Sequence, residues 1–274
     1  MTTSAMPKTS TLPAASRTLA HPSSLVHDVK SVAGRAIKNL LRDPEAFLPP
    51  LLIAAFFYAV NIGTLQVLTG NVLQGDYKAF QMPSAVIFAV TGVSRAGSLV
   101  TDIQDGYFDR LLLTPVRRPA LLLGLLGADL VQTIGLTIPV IGVAFAIGVR
   151  FETGVAGIFV FIAMAASWAI AFSGFIYAIA LKTGNPTAVA QSFILFFPFA
   201  FLTTSSVPQE AMTGWLAAVV PWNPLTYLLA GFRSLISEGW ELVPLLKALA
   251  AIFGIGAISM SICLAAMRGR LKRG

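Results

Sequence analysis

The chain has 274 residues, 56% of them hydrophobic and only 11% charged, with a mean hydropathy of +0.78, whereas a soluble domain carries roughly 25% charged residues. That balance excludes an ordinary soluble domain, and a single cysteine, Cys263, excludes an intrachain disulfide framework. Nineteen Lys and Arg against twelve Asp and Glu give a net charge of +7; in so apolar a chain this surplus reads as cytoplasmic-side membrane charge, and no nucleic-acid partner is expected.

Residues 1–22 are rich in Ser, Thr and Pro and read as a disordered cytoplasmic tail. The first 44 residues hold no uninterrupted apolar run of the length a secretory signal needs, so no cleaved leader is expected. Residues 23–44 read as an amphipathic helix. Val26, Val29, Ala33, Ile37, Leu40 and Leu41 recur at three- and four-residue spacing, with Lys30, Arg35, Lys38 and Arg42 on the remaining surface. Such a helix lies in the membrane interface or packs on a partner.

A membrane span needs about 20 mostly apolar residues. Six candidates follow, at about 47–68, 80–101, 121–149, 154–181, 187–206 and 243–267, so residues 45–274 read as an all-α membrane protein with six transmembrane helices. The second is interrupted by Arg95 and the third contains Asp129. The fourth and fifth are separated by a tight turn at Lys182, Gly184 and Pro186. Placing both termini in the cytoplasm puts fifteen of the nineteen Lys and Arg inside and leaves Lys78, Arg150, Arg233 and Lys247 outside, as the positive-inside rule requires.

Two connecting segments carry more information than composition. The cytoplasmic one, 102–119, mixes Asp102, Asp105 and Asp109 with Arg110, Arg117 and Arg118 around a short leucine-bearing helix, a form suited to docking a soluble partner. The outer one, 207–240, is too broken by Pro and Gly to be a seventh span. Two apolar pieces, Trp215 to Val220 and Leu225 to Leu235, flank a Pro-Trp-Asn-Pro turn, and each is able to dip into the outer leaflet without crossing. Trp215, Trp222, Tyr227 and Trp240 also fit an interfacial aromatic belt with no further role.

These segments resemble those of the type-2 ATP-binding-cassette exporter permeases, the family that includes the daunorubicin-resistance permeases. Its cytoplasmic loop carries a D-x-x-x-G-x-x-x-R-L-x-x-x-P-V/I-x-R pattern, and Asp102, Gly106, Arg110, Leu111, Pro115, Val116 and Arg118 stand at that spacing. Its outer loop has a Pro, a Trp-Leu pair, Asn-Pro, a Tyr, an Arg and a Gly in fixed order. Pro208, Trp215, Leu216, Asn223, Pro224, Leu225, Thr226, Tyr227, Arg233, Leu235 and Gly239 fit it. The resemblance implies that 102–119 is a coupling helix docking on an ATPase subunit, that 207–240 forms two short re-entrant helices, and that two permease chains enclose an export route with two ATPase copies. It also implies residence in the plasma (inner) membrane. No G-x-x-x-x-G-K-S/T occurs, so ATP and Mg are expected on the partner ATPase and no cofactor on this chain.

An ionisable residue inside a span is by default a functional hypothesis. Arg95 and Asp129 lie at similar depths on consecutive antiparallel spans and are expected to form an ion pair at the root of the coupling loop, with Gln132 one turn away able to join; snorkelling of Arg95 is the alternative. Gly124, Gly127, Gly135, Gly142, Gly254 and Gly256 permit close helix approach. Phe193, Phe196, Phe197, Phe199 and Phe201 cover every side of the fifth span. No catalytic or metal constellation is found, since His21 and His27 both precede the spans. An amphipathic drug-like or lipid-linked substrate is expected, the sparse charge between spans disfavouring a free polar sugar. The rival readings are an integral membrane enzyme acting on lipids and an ATP-independent transporter, the latter without the internal repeat it would show.

Overall fold

Among the described residues four helices are long and apolar enough to cross a membrane: Pro44–Val67, Ala120–Ala146, Gly154–Thr183 and Leu242–Arg270. They belong to a computed structural model that describes residues 25–69, 76–106 and 118–271, within which every regular element is helical. In chain order these are α1 (Leu25–Leu40), α2 (Leu48–Thr69), α3 (Tyr77–Val90), α4 (Ala96–Gln104), α5 (Arg118–Ala146), α6 (Gly154–Thr183), α7 (Pro186–Gln191), α8 (Phe196–Phe201), α9 (Gly214–Val219), α10 (Pro224–Arg233) and α11 (Leu242–Leu271).

The second and fifth expected spans are not continuous helices. The second is broken between α3 and α4 at Thr91–Arg95. Gly92 there has φ +85, which a residue with a Cβ rarely adopts, and such a Cβ would run into the Phe193 ring. The fifth is assembled from α7, a 3-10 turn Ser192–Leu195 and α8, and it stops at Phe201. The polar run that follows explains the early stop, because its hydroxyls compete for backbone partners. Thr203 donates its Oγ1 proton to the Ala200 carbonyl at 2.7 Å and accepts from the Ser205 N–H at 3.1 Å.

The core forms around α6, whose Phe161, Trp168, Phe172 and Tyr177 are fully buried. Its most extensive partner is α11. The two helices approach closely because small residues face each other: a Cβ on Gly174 would sit 2.7 Å from the Ser259 Oγ, and one on Gly256 would touch Ala171 at 3.4 Å. The Ser259 hydroxyl donates to the Ala171 carbonyl. Rings of Phe57, Phe88, Phe172, Phe196 and Phe201 join α2, α3, α6 and α8 edge to face and by stacking.

The amphipathic helix α1 packs along α5. Ala36 and Leu40 are buried while Lys30 and Lys38 stay exposed, so its apolar face is occupied by protein. The glycines of α5 make this fit. A Cβ on Gly124 would stand 2.6 Å from Val32, one on Gly127 3.5 Å from Ala33, and one on Gly135 3.0 Å from Phe47. Three of the four glycines expected to permit close helix approach therefore admit the N-terminal helix and the turn after it, whereas a Cβ on Gly142 meets nothing within 4 Å. Replacing Gly124 by Ile overpacks this seam at a cost of about 1–3 kcal/mol. Amide hydrogen exchange checks it, with α1 expected to exchange faster and α6 to stay unchanged.

Candidate functional site

A break in an apolar helix leaves amides and carbonyls without intrahelical partners, and hydrocarbon supplies none. At Thr91–Arg95 the Arg95 amide finds its partner on another helix. Asp129 of α5, 1% exposed, accepts the Arg95 backbone N–H on Oδ1 at 2.7 Å and the Tyr177 hydroxyl proton of α6 on Oδ2 at 2.7 Å. Its carboxylate thus lies at the N-terminus of α4, where the helix dipole favours negative charge. Trp168 donates its indole N–H to the Thr91 hydroxyl at 2.9 Å, and the Ser94 hydroxyl accepts the Ala96 N–H at 3.3 Å.

This corrects the expected pairing. Arg95 and Asp129 do meet, but through the Arg95 main chain; its guanidinium lies 3.7 Å from Asp43, in the turn after α1. The helix break presents the amide to the carboxylate, and Tyr177 takes the second oxygen. Gln132 does not join them. It donates to the Ala46 carbonyl at 2.7 Å.

The far end of α4 is held as well. Arg35 of α1 grips Asp102 with two hydrogen bonds, at 2.8 and 3.3 Å. Gln104 donates to the carbonyl of Gly184, the φ +58 residue that caps α6, at 3.0 Å. Arg270 at the end of α11 donates to the neighbouring Leu181 carbonyl at 3.2 Å. Asp105 caps α4, and Gly106, with φ +67, turns the chain away. Asp109, Arg110, Leu111, Pro115 and Arg117 lie outside the described residues, and Arg118 opens α5. The helix that leads into the 102–119 loop is therefore tied to α1, α5 and α6 at once.

The outer motif answers the same need at a second irregular segment, Leu202–Val207. Arg233 donates from Nε to the Phe80 carbonyl at 3.1 Å and from Nη1 and Nη2 to the Thr204 hydroxyl and carbonyl at 2.8 and 2.6 Å, with its guanidinium 3.6 Å from the Phe80 ring centre. Asn223 donates to the Phe199 and Leu202 carbonyls at 2.8 and 2.9 Å, and its Oδ1 caps α10 by accepting the Leu225 N–H. Pro224 occupies the first helical position. Tyr227 and Thr226 donate to the Pro221 and Val220 carbonyls, while Tyr77 and Ser84 of α3 take those of Ser206 and Ser205. Gly239, φ +93, ends a π turn over Ser234–Glu238. Trp215 on α9 is 70% exposed, and Pro208 borders a cavity of about 740 Å³ with Asp76, Glu210, Arg233 and Glu238.

Residues 27–236 match the family model described as the ABC-2 type transporter. The chain belongs to the ABC-2 type transporter family. It is 27% identical over 164 residues to a daunorubicin resistance ABC transporter permease of Streptomyces coeruleorubidus, a match covering 59% of this chain and 58% of that relative. It is 23% identical over 227 residues to a probable doxorubicin resistance ABC transporter permease of Mycobacterium tuberculosis, covering 81% of each. This ABC-2 chain is thus an integral membrane permease by family and by its apolar helices.

In this permease the residues that sequence reasoning missed are Tyr177, Trp168, Arg35 and Asp43. Tyr177 lies five residues before Lys182 on the span that follows the one carrying Asp129, and its long side chain carries the hydroxyl to the carboxylate. Asp129→Ala leaves the Arg95 amide and the Tyr177 hydroxyl buried without an acceptor and is expected to cost about 2–4 kcal/mol. Asp129→Asn keeps one acceptor oxygen and costs less, and thermal unfolding in detergent ranks the pair. Arg233→Lys loses the planar fork and is expected to lower stability more than Arg150→Lys, whose partners lie on an exposed turn.

Proposed function

We propose that the chain is the membrane permease subunit of an ATP-driven exporter that moves an amphipathic, drug-like or lipid-linked substrate outward. In this reading it crosses the plasma membrane six times with both termini in the cytoplasm. The broken α3–α4 pair and the assembled α7–α8 segment serve as the second and fifth spans, and α9 and α10 are the re-entrant pieces. It works with a second permease chain, and two copies of a separate ATPase subunit carry ATP and Mg.

The observation that carries the reading is the anchoring of α4. A force applied to the 102–119 loop reaches α1 through the Arg35–Asp102 contact, α6 through Gln104 and the Gly184 carbonyl, and α5 through Asp129 at the other end of the same short helix. A loop without mechanical work would not need its root tied to three helices. The match to permeases named for daunorubicin and doxorubicin resistance supports a hydrophobic, amphipathic cargo. The amphipathic helix is then part of the force path and lies at the cytoplasmic face.

Charge reversal tests this path. Asp102→Arg is expected to lower transport-coupled ATP hydrolysis in the assembled transporter, while the double exchange Arg35→Asp with Asp102→Arg restores it. A recovery of about 1 kcal/mol, near fivefold, is the size a partly exposed bidentate pair supplies. Equal rates in all three proteins would remove the contact from the mechanism, and failure of the chain to co-purify with any ATPase would remove the reading itself.

A further inference from the structure

Between α10 and α11 lies an open groove of about 580 Å³ that neither the coupling contacts nor the outer motif accounts for. Its lining includes Trp222, Tyr227, Lys247, Ala251, Gly254 and Ile258. The last four recur at i, i+4, i+7 and i+11 and so share one face of α11. Gly254 sits deep inside this helix, where glycine is a poor helix former, yet a Cβ there would meet nothing within 4 Å. No neighbouring helix of this chain demands its small size, unlike Gly174 or Gly256 on the opposite seam with α6.

The dimensions of the groove point to its occupant. Lys247 and Arg268 are 21 residues apart on α11, about 32 Å at the helical rise, which matches a hydrocarbon core of about 30 Å. These two cations therefore mark the edges of that core. Ile258, eleven residues from Lys247, lies about 16 Å deep, near the midplane. The groove runs the depth of one leaflet, apolar along its length and cationic at its mouth. Trp222, 87% exposed, stands beside it with the amphipathic ring that favours the headgroup boundary. Lys247 has no hydrogen-bond or ion-pair partner among the described residues.

We propose that this groove is a binding site for one anionic phospholipid, its acyl chain lying over Ala251, Gly254 and Ile258 and its phosphate paired with the Lys247 ammonium. On the orientation given under Proposed function the lipid belongs to the outer leaflet; the site itself depends only on α11 spanning the bilayer. A lipid fits better than a second protein chain because the single cation at the mouth matches a headgroup charge and the groove ends where a leaflet ends.

Native mass spectrometry of the full chain released from mild detergent, with phosphatidylglycerol and phosphatidylcholine offered in competition, tests the site. The unaltered chain is expected to retain one phosphatidylglycerol, preferred by about fivefold, the effect of one cation near an anionic headgroup. Lys247→Gln should bring that preference to parity, and Gly254→Phe should abolish retention of either lipid. Ala251→Leu, which narrows the same groove with less bulk, should weaken retention and guards against a fold defect in the larger replacement. Retention unchanged in all three variants would overturn the proposal, as would a Gly254→Phe chain that loses self-association and no lipid. The readout needs neither ATPase nor transport, so loss of the export reading and loss of this site are separate outcomes.

Discussion

Hydrocarbon offers a peptide group no hydrogen-bond partner, so any departure from helix inside a membrane chain must be closed by the protein itself. Two such departures shape this molecule, at Thr91–Arg95 and at Leu202–Val207. Backbone groups in each are met by side chains from other elements: Asp129 at the first, where Trp168 also holds the Thr91 hydroxyl, and Arg233, Asn223, Tyr77 and Ser84 at the second. The irregular segments therefore dictate neighbours. α3 and α4 must lie against α5 and α6, and α8 must lie between α3 and α10, because otherwise polar backbone would stand bare.

The same requirement divides the second span into parts with different attachments. α3 sits in the core, with nearly every residue from Gln81 to Val90 buried, and packs by shape. α4 buries Ala96, Leu99, Val100 and Ile103 and is held besides at its two ends by directed polar contacts. Apolar packing falls off gradually as surfaces slide, whereas a hydrogen bond is lost within a fraction of an ångström. The polar contacts at the two ends of α4 therefore fix its position more sharply than its apolar packing does. That property suits an element joining the 102–119 loop to the apolar helices.

Much of this was legible in the sequence, and the exceptions have physical causes. The cost of a buried charge singled out Arg95 and Asp129 and placed them at one depth, and the structure brings them together. What a spacing argument misses is that a break frees a main-chain amide, which reaches the carboxylate before the guanidinium does. Trp168 and Tyr177 escaped notice because each counts as hydrophobic while carrying one donor, and in an apolar helix that donor is the informative atom. The Asn-Pro pair at 223–224 is readable as an N-cap followed by proline at the first helical position, and the structure has that cap. Three of the four glycines of α5 read as permitting close helix approach do admit a neighbour, and which neighbour was not legible, since glycine spacing states only that something can come near.

Burial sets an order among the polar contacts around α4. The Arg35–Asp102 pair keeps 40% and 20% of its side-chain surfaces exposed, so water competes for both partners and separation costs about 1 kcal/mol. Asp129 is sealed, and drawing it away from the Arg95 amide strands both groups at about 1–3 kcal/mol each. The Gln104–Gly184 hydrogen bond is exposed as well, so both polar contacts at the loop end of α4 are weaker than the sealed one at its N-terminus. Of the polar contacts that hold α4, the one to the buried Asp129 carboxylate is the firmest.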